Sequence, residues 1–403
     1  MTAPSLRILG ASIVGRDGSP HDIEVVNGRI ASIVASVASA GSAGSAGSAG
    51  SAGSRRRPGA GAELAAHGLL AAPGFIDLQI NGAAGHDLTA DPTSIWWVGA
   101  ALVRSGVTAF LPTIVTSPRD VVETARRTLL AGPPAGYGGA RALGLHVEGP
   151  FISAARIGAH DPAHRRDPDP GFVAGWSPTA GVRIVTLAPE LPGAIELTRE
   201  LARRGVVVSV GHTAATAAEA RAGFDAGARF VTHLFNAMPG LDHRSPGPIG
   251  AALADPRVTV GLITDGLHVD PILVEMVWRA VGPKRFSAVT DAIAALGMAP
   301  GAYRLGTMDV VVDATSARLG DGRLAGSLLS LDRAVRNLQG FTGASIAEVV
   351  GAVTSTPARL LGIERTHGAI AEGRAADITL LTPELEVAAT IVGGELAFRA
   401  GGR

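Results

Sequence analysis

Hydrophobic and polar positions alternate in two different ways along this chain. In residues 6–35 the apolar residues recur at about every second position, and Asp17-Gly18 and Asn27-Gly28 interrupt them as typical hairpin turns. This part of the pattern predicts a small β-meander. From about residue 70 onwards, apolar runs of four to eight residues alternate with longer amphipathic segments. That alternation is typical of a parallel sheet or barrel.

Eight of the apolar runs are candidate strands of one barrel. They cover residues 75–80, 107–112, 142–147, 182–187, 206–210, 230–233, 258–263 and 286–290. Helices are predicted between them near 94–105, 118–131, 193–204, 214–226 and 271–281, and Gly106, Gly205 and Gly227 stand where three of these helices should end. The simplest fold that accommodates the pattern is a (β/α)8 TIM-like barrel of the α/β class.

The two ends of the chain are predicted to form a separate small domain. After helical patterns at 328–338 and 346–361, strand alternation returns between residues 369 and 398. We expect residues 1–72 and 367–403 to form a small β-sandwich domain and residues 73–366 to form the catalytic barrel. A Gly-Ser-Ala repeat and three arginines at 38–57 are interpreted as a flexible insertion that carries no function.

Composition narrows the class of protein. Hydrophobic residues make up 46% of the chain and charged residues 17%, which is enough for a large aliphatic core. Because 35 basic residues balance 35 acidic ones, we expect no nucleic-acid partner. The chain has no cysteine, so a metal site must use histidine and carboxylate ligands. With no signal peptide pattern and no long apolar segment, we expect a cytoplasmic protein that has no membrane contact.

Polar side chains follow the ends of most of the predicted barrel strands. They are Gln79, Asn81, His146, Glu148, His212, His233, His268 and Asp291. In such barrels the catalytic groups gather at the carboxyl ends of the strands. Glu148, His212 and His233 match a catalytic zinc site, which uses three protein ligands and leaves one position open for water. Asp291 lies across the mouth, where it can take a proton from that water. The pattern predicts metal-assisted hydrolysis.

The segment 231–250 is interpreted as a substrate-binding loop that follows His233. Pro239, Pro246 and Pro248 are expected to keep it from continuing as a helix. Arg244 lies in this loop, and its planar guanidinium is well suited to a phosphate.

Two glycine-rich stretches and one histidine have no single assigned role. The glycine-rich stretches 247–250 and 324–327 are weak candidates for phosphate-binding loops, and Ser327 could equally be a helix N-cap. His146, two residues before Glu148, either supports the metal site or is structural.

Several short motifs occur in a fixed order from about residue 70 to the C-terminus. They are Ala72-Pro73-Gly74-Phe75-Ile76-Asp77, His146-Val147-Glu148-Gly149-Pro150-Phe151, Gly158-Ala159-His160, Gly211-His212-Thr213, Thr232-His233-Leu234-Phe235-Asn236-Ala237-Met238, Asp265-Gly266-Leu267-His268, Thr290-Asp291-Ala292 and Leu324-Ala325-Gly326-Ser327. Together they resemble the N-acetylglucosamine-6-phosphate deacetylase family of the amidohydrolase superfamily.

The resemblance implies roles for particular residues. Glu148, His212 and His233 would hold one divalent metal ion per subunit, zinc or iron, and Asp291 would be the acid and base. The implied contacts with an amino-sugar phosphate are Ala159, His160, Asn236, Ala237, Arg244, Asp265, His268, Leu324, Ala325 and Gly326. Family members are commonly homodimers, in which part of the phosphate site can come from the neighbouring subunit.

The implied reaction is hydrolysis of the acetamide of N-acetyl-D-glucosamine 6-phosphate to D-glucosamine 6-phosphate and acetate. The alternative is a related substrate such as N-acetylgalactosamine 6-phosphate, which differs at one hydroxyl. A deaminase or cyclic-amide hydrolase fits less well, because the Asn236-Ala237 and Arg244 elements suit a phosphorylated sugar. A non-catalytic relative would be expected to have lost Asp291 or a metal ligand, and this chain keeps all of them.

The chain departs from the superfamily at two places. Many amidohydrolases carry His-x-His after the first barrel strand and hold two metals, whereas this chain has Gln79-Ile80-Asn81. Amides are poor ligands for a second zinc, so we expect a single metal. The Gly-Ser-Ala insertion is also unlike most relatives, and its place in the small domain predicts no effect on the chemistry.

Overall fold

The protein is described by a computed structural model that covers residues 6–36 and 61–401. The predicted insertion at 38–57 lies outside these residues. None of the helices in the two described ranges has the length and apolarity needed to cross a bilayer.

Eight parallel strands form a nearly closed barrel. They are Phe75–Ile80, Val107–Val115, Leu145–Glu148, Val182–Leu187, Val207–Val210, Phe230–Val231, Thr259–Ile263 and Phe286–Val289, numbered here as barrel strands 1 to 8. Each pairs with the next in sequence order. A bridge between Ile80 and Ala292, just beyond strand 8, brings the last strand back to the first. The barrel predicted from the apolar runs is therefore confirmed.

Helices cover the outside of the barrel. Their bounds are Ile95–Leu102, Arg119–Ala131, Ala194–Arg203, Ala217–Ala226, Gly247–Ala254, Pro271–Val281, Leu331–Thr342, Ile346–Gly351 and Ser355–Leu360, with 3-10 turns at Pro92–Ser94 and Val103–Ser105. Gly106, Gly205 and Gly227 have positive φ at helix ends, as predicted. Strands 3 and 4 are joined by a long loop with 3-10 turns at Ala154–Arg156 and Pro162–His164.

Two helical predictions need correction. The segment after His233 was expected to stay non-helical past Pro246 and Pro248, but a helix begins at Gly247. Pro248 lies in its first turn, where the missing N–H would have no partner in any case. The single helix predicted at 346–361 is two helices, because Pro357 lies in the second of them and cannot donate to the turn before it.

Both ends of the described chain contribute to one further sheet. Its strands are Leu6–Ile13, Pro20–Val26, Arg29–Ala35, Ala62–Ala65, Leu70–Pro73, Ile378–Leu381, Val387–Val392 and Glu395–Arg399. Leu70–Pro73 from the N-terminal part pairs antiparallel with Ile378–Leu381 from the C-terminal part. The prediction that the two terminal segments share a β-sheet is correct. Most of its buried apolar side chains form a cluster separate from the barrel core, whereas Ala72 and Leu381 pack into that core.

The sequence pattern did not predict a second, smaller sheet. Gly301–Leu305, Met308–Val312 and Ala317–Arg318 form a three-stranded antiparallel sheet after barrel strand 8. Two short bridged segments, Gly82–Ala83 and His86–Asp87, and the edge strand Arg141–Ala142 complete the strands. The inserted sheet lies beside the barrel mouth and supplies Leu305 to the pocket described below.

Candidate active site

Three predicted metal ligands meet at the barrel mouth. Oε1 of Glu148 lies 3.2 Å from Nε2 of His212 and 2.9 Å from Nε2 of His233, and the two imidazole nitrogens are 3.1 Å apart. Tetrahedral ligands at about 2.0–2.1 Å from zinc lie about 3.3 Å from one another. The three side chains are buried. Their spacing and chemistry therefore fit one metal cation held between them.

The electrostatics of the three side chains also favour a cation. Burial opposes ionisation of Glu148, but the nearby imidazoles of His160, His212 and His233 hold its pKa well below the ordinary range. Burial tends to neutralise His233, yet Glu148 and then Asp291 outweigh it and raise the pKa of His233 to about 9. The field at Nε2 of His233 thus favours positive charge, which is what a metal ion brings.

Backbone strain is concentrated at these strand ends. His212, His233 and Asp291 have φ angles of 47°, 29° and 50°, a region that side-chain-bearing residues rarely adopt. Such conformations cost on the order of 1–3 kcal/mol each and cluster at functional sites. The strain supports the view that these three positions were placed for chemistry.

Asp291 is held by two amides. Its Oδ1 accepts hydrogen bonds from Nε2 of Gln79 at 3.0 Å and Nδ2 of Asn81 at 2.7 Å. The same Gln79 amide donates to Oε1 of Glu148 at 3.0 Å. Gln79 and Asn81 are the residues that replace His-x-His, and here they act as donors to the two carboxylates.

The surroundings of Asp291 disfavour its charge. Burial raises the pKa of Asp291, and the charge of Glu148 raises it further. His233, His268 and the hydrogen bond from Asn81 oppose this effect. A carboxyl with a raised pKa is able both to take up and to return a proton near neutral pH.

Two other predicted residues have defined partners. Nδ1 of His160 accepts a backbone hydrogen bond from Thr116 at 3.4 Å and lies 2.8 Å from the Thr116 hydroxyl. Burial lowers the pKa of His160 to about 4, so the ring is neutral. Nδ1 of His268 lies 2.6 Å from Oδ2 of Asp265. Burial opposes ionisation of Asp265, but its hydrogen bonds with His268 and two backbone amides lower its pKa.

The site opens into a pocket of about 400 Å³, a size typical of small-molecule sites. Eleven of the fourteen predicted site residues line it: Glu148, Ala159, His160, His212, His233, Asn236, Ala237, His268, Asp291, Leu324 and Gly326. The three others lie elsewhere. Asp265 contacts the pocket only through His268, Ala325 is fully buried, and Arg244 is exposed on its loop. The structure does not bring Arg244 into the pocket of its own subunit.

Other pocket residues were missed by the sequence pattern. Arg156 and Arg323 both line the pocket, and Nη1 of Arg323 donates to the carbonyl oxygen of Gly158 at 2.6 Å. Each arginine lies next to a recognised motif, Arg156 shortly before Gly158-Ala159-His160 and Arg323 directly before Leu324-Ala325-Gly326. Their position beside those motifs was the signal that could have identified them.

Ser327 is not the N-cap of the following helix. That helix begins at Leu331, and its N-cap residue is Ser330. The Ser327 hydroxyl instead donates to the carbonyl oxygen of Thr290 at 2.5 Å, and the Ser327 N–H donates to the carbonyl oxygen of Asp291 at 2.9 Å. Ser327 therefore fixes the backbone at Asp291.

A comparison with protein families matches residues 70–397 of the chain to the amidohydrolase family. The human N-acetylglucosamine-6-phosphate deacetylase is 41% identical over 349 residues, which are 83% of this chain and 84% of the human protein. The N-acetylgalactosamine-6-phosphate deacetylase of Escherichia coli O157:H7 is 36% identical over 334 residues, 81% of this chain and 88% of that protein.

Solved structures agree with these relatives. A mutant N-acetyl-D-glucosamine-6-phosphate deacetylase from Mycobacterium smegmatis, solved in complex with N-acetyl-D-glucosamine-6-phosphate, superposes with a TM-score of 0.84. It is 33% identical, and the match covers 98% of this chain and 100% of that one. The similarity extends over the barrel and the terminal sheet alike.

Proposed function

This chain belongs to the amidohydrolase family, and from that premise we propose that it hydrolyses the acetamide of N-acetyl-D-glucosamine 6-phosphate to D-glucosamine 6-phosphate and acetate. The observation that carries the proposal is the convergence of Glu148, His212, His233 and Asp291 at one pocket. The names of the relatives supply the substrate class.

The metal would be held by Glu148, His212 and His233, as one zinc or iron ion per subunit. Such an ion, when bound, lowers the pKa of a water toward about 7 and polarises a carbonyl. Gln79 supports a single-metal site, because its amide already donates to Glu148 and Asp291.

Asp291 carries the proton in both halves of the reaction. As its carboxylate, it takes a proton from the attacking water, whose oxygen then bonds to the acetyl carbon. It returns that proton to the amide nitrogen as the carbon–nitrogen bond breaks, which yields the amine and acetate. Burial and the charge of Glu148 raise the pKa of Asp291 above its ordinary range, which suits a group that must both take up and return the proton.

His160 is placed to stabilise the oxyanion that forms on the acetyl group. Because the Thr116 backbone N–H donates to Nδ1 of His160, the proton of the neutral ring must be on Nε2. Nε2 lies 3.8 Å from Oε2 of Glu148 at the pocket wall. It is therefore a donor beside the metal ligands, where the acetyl carbonyl would lie in the proposed reaction.

The phosphate end would be bound by His268 and by Arg244 of a second subunit. In its own subunit Arg244 is exposed and does not line the pocket, so a homodimer in which it reaches the neighbouring pocket gives it a function.

We further propose that residues 1–72 and 367–403 act as a β-sandwich domain distinct from the barrel at 73–366. We also propose a cytoplasmic location, because a sugar phosphate does not cross membranes unaided.

We expect the metal-loaded protein to release acetate from N-acetylglucosamine 6-phosphate with a kcat/KM at least about 10-fold above that for the galactosamine epimer. One hydrogen bond to a sugar hydroxyl is enough for such a preference. Acetate release from each epimer, and from unphosphorylated N-acetylglucosamine, measures it. A reversed preference would favour the galactosamine substrate, which the E. coli relative makes the second candidate. No release from either phosphate would refute the proposed function.

Asn81→Ala is expected to move the acid limb of the pH–rate profile upward by about one pH unit. The carboxylate of Asp291 is the active form, so activity falls as the pH drops through its pKa. The Asn81 hydrogen bond lowers that pKa, and its loss raises it. A bound cation acts on both proteins alike, so the direction of the change remains.

Asn236→Ala is the matched control, because it also removes a pocket amide. The Asn236 amide points to the carbonyl oxygens of His233 and Leu234, not to Asp291. This variant should change KM and leave the acid limb in place. If Asn81→Ala also leaves the acid limb of the pH–rate profile in place, Asn81 does not influence the pKa of Asp291.

A further inference from the structure

A chain of hydrogen bonds runs through the barrel interior below the metal ligands. Nδ1 of His146 lies 3.0 Å from the carbonyl oxygen of Leu78, and Nε2 lies 2.7 Å from the hydroxyl of Thr186. The Thr186 hydroxyl lies 2.7 Å from that of Thr232, which lies 2.6 Å from that of Ser209. All four side chains are fully buried. We call His146, Thr186, Thr232 and Ser209 the polar belt.

The tautomer of His146 that donates to Leu78 gives every bond in the polar belt a direction. The Leu78 carbonyl can only accept, so Nδ1 of His146 donates. In that tautomer Nε2 carries no proton and accepts from Thr186. Thr186 has then used its one proton and accepts from Thr232, which in turn accepts from Ser209. The belt is a single ordered chain of donors in which each inner member has one partner on either side.

The polar belt connects the strands that carry the site. His146 lies on barrel strand 3, Thr186 on strand 4 and Ser209 on strand 5. Thr232 directly follows strand 6. Three of the four lie close in sequence to a metal ligand: His146 is two residues before Glu148, Ser209 is three before His212, and Thr232 directly precedes His233. Leu78, the carbonyl partner of His146, directly precedes Gln79. His146 and Glu148 share the inward face of their strand, since they are two residues apart.

Barrel interiors are usually filled by aliphatic side chains. The polar belt, which lies in the barrel interior below the metal ligands, therefore calls for an explanation. The three metal ligands come from three different strands, and their mutual distances depend on how those strands are held relative to one another. Thr186 lies on strand 4, which carries no ligand, and it joins strand 3 to Thr232 across the interior. Its contribution to the site is therefore made through other residues.

We propose that the polar belt positions the metal ligands, and that its central hydroxyl, Thr186, raises metal affinity without touching the metal. The inference deepens the proposed function and rests on it, since it concerns the same metal site. Replacing a residue that hydrogen-bonds to a metal ligand typically changes metal affinity 10- to 100-fold. Because the polar belt lies one step further away, the lower end of that range is expected.

The test is the affinity of the metal-free protein for Zn²⁺ in chelator-buffered titrations. Thr186→Val keeps the shape of the side chain but leaves Nε2 of His146 without a donor and the Thr232 hydroxyl without an acceptor. We expect zinc binding to weaken about 10-fold. The visible spectrum of the Co²⁺-loaded protein should change as well, because it reports the ligand geometry.

Two control variants separate positioning from general effects on the core. Thr186→Ser keeps the hydroxyl and should bind zinc within about 2-fold of the unaltered protein. Thr198→Val makes the same change at another fully buried threonine, on the helix Ala194–Arg203, whose hydroxyl has no partner among the described residues. It should leave zinc affinity and the Co²⁺ spectrum unchanged.

Ser209→Ala provides a second test if Thr186→Val does not fold. Ser209 is the first donor of the polar belt, so its loss leaves only one acceptor site on Thr232 empty. A smaller loss of zinc affinity, about 2- to 3-fold, is expected. Unchanged affinity and spectrum in folded Thr186→Val, or in Ser209→Ala when Thr186→Val is unfolded, would overturn the proposal. If the unaltered protein itself binds no zinc, the proposed metal site fails instead.

Discussion

Asp291→Asn is expected to lower kcat by at least about 10³-fold while one metal ion per subunit is retained. General acid and base catalysis contributes about 10²- to 10⁴-fold, and Asp291 acts in both proton transfers. An asparagine still offers an oxygen to Gln79 and Asn81, so the site should keep its shape. An amide cannot take the proton from water, and no other described carboxylate has these two amide donors.

The measurement is acetate release under saturating substrate together with metal analysis of the same sample. Asp225→Asn is the matched control, because Asp225 is exposed and pairs with Arg257 on the surface. It should keep full activity. Acetate release from Asp291→Asn within a few fold of the unaltered protein would remove Asp291 from the mechanism. Loss of metal together with activity would instead make Asp291 part of the metal site.

The barrel could be predicted because its strands are buried on both faces. Phe75–Ile80 and Val182–Leu187 are mostly apolar and mostly buried segments that have the predicted bounds in the structure. Strand 6 is harder to predict, since only Phe230–Val231 pair with the neighbouring strands. Four of the site residues could be found for a related reason: in a parallel barrel every strand ends at the same mouth, so the polar residue after each run is brought to one place.

The inserted sheet could not be recognised from long apolar runs, because only one face of each strand is buried. In Met308–Val312 the buried residues Val310 and Val312 alternate with exposed ones, and Gly306 with positive φ makes the turn before them. This is the pattern of a hairpin with one solvent face. In the sequence alone, such short segments of mixed polarity cannot be distinguished from a loop, because the strand that each pairs with is not known.

The roles of Gln79 and Asn81 were missed for a different reason. Their sequence positions indicated which ligands are missing, and so favoured a single metal. The sequence could not show that both amides point at Asp291, because that contact joins residues 210 and 212 positions apart. Such contacts depend on barrel closure between strands 1 and 8, which no local pattern describes.

Glu148→Gln is expected to abolish tight zinc binding and to lower kcat/KM by more than about 10³-fold. The variant has nearly the same shape, but an amide is a poor zinc ligand and removes the negative charge that His212 and His233 face. The Gln79 amide that now donates to Glu148 would also meet an amide instead of a carboxylate. Both losses act on the same cation.

Thermal unfolding gives a measurement that does not depend on activity. A ligand that binds only the folded state adds about 4 kcal/mol of stability when its free concentration is 1,000-fold above its Kd. Zinc should therefore raise the melting temperature of the unaltered protein, and a chelator should reverse the rise. In Glu148→Gln the rise should disappear. The control Glu200→Gln, which alters a helix carboxylate paired with Arg204, should keep it.

The metal-free form of Glu148→Gln should be less stable at neutral pH than the metal-free unaltered protein. The imidazoles of His160, His212 and His233 outweigh burial and hold the pKa of Glu148 well below its ordinary range, so its carboxylate stabilises the folded state at neutral pH. Relief of the repulsion on Asp291, whose pKa the charge of Glu148 raises, offsets part of this loss. The difference between the two proteins should shrink as the pH falls, because Glu148 then becomes protonated. Equal stability of the two metal-free proteins at neutral pH would mean that the contacts of Glu148 with these imidazoles do not stabilise the fold.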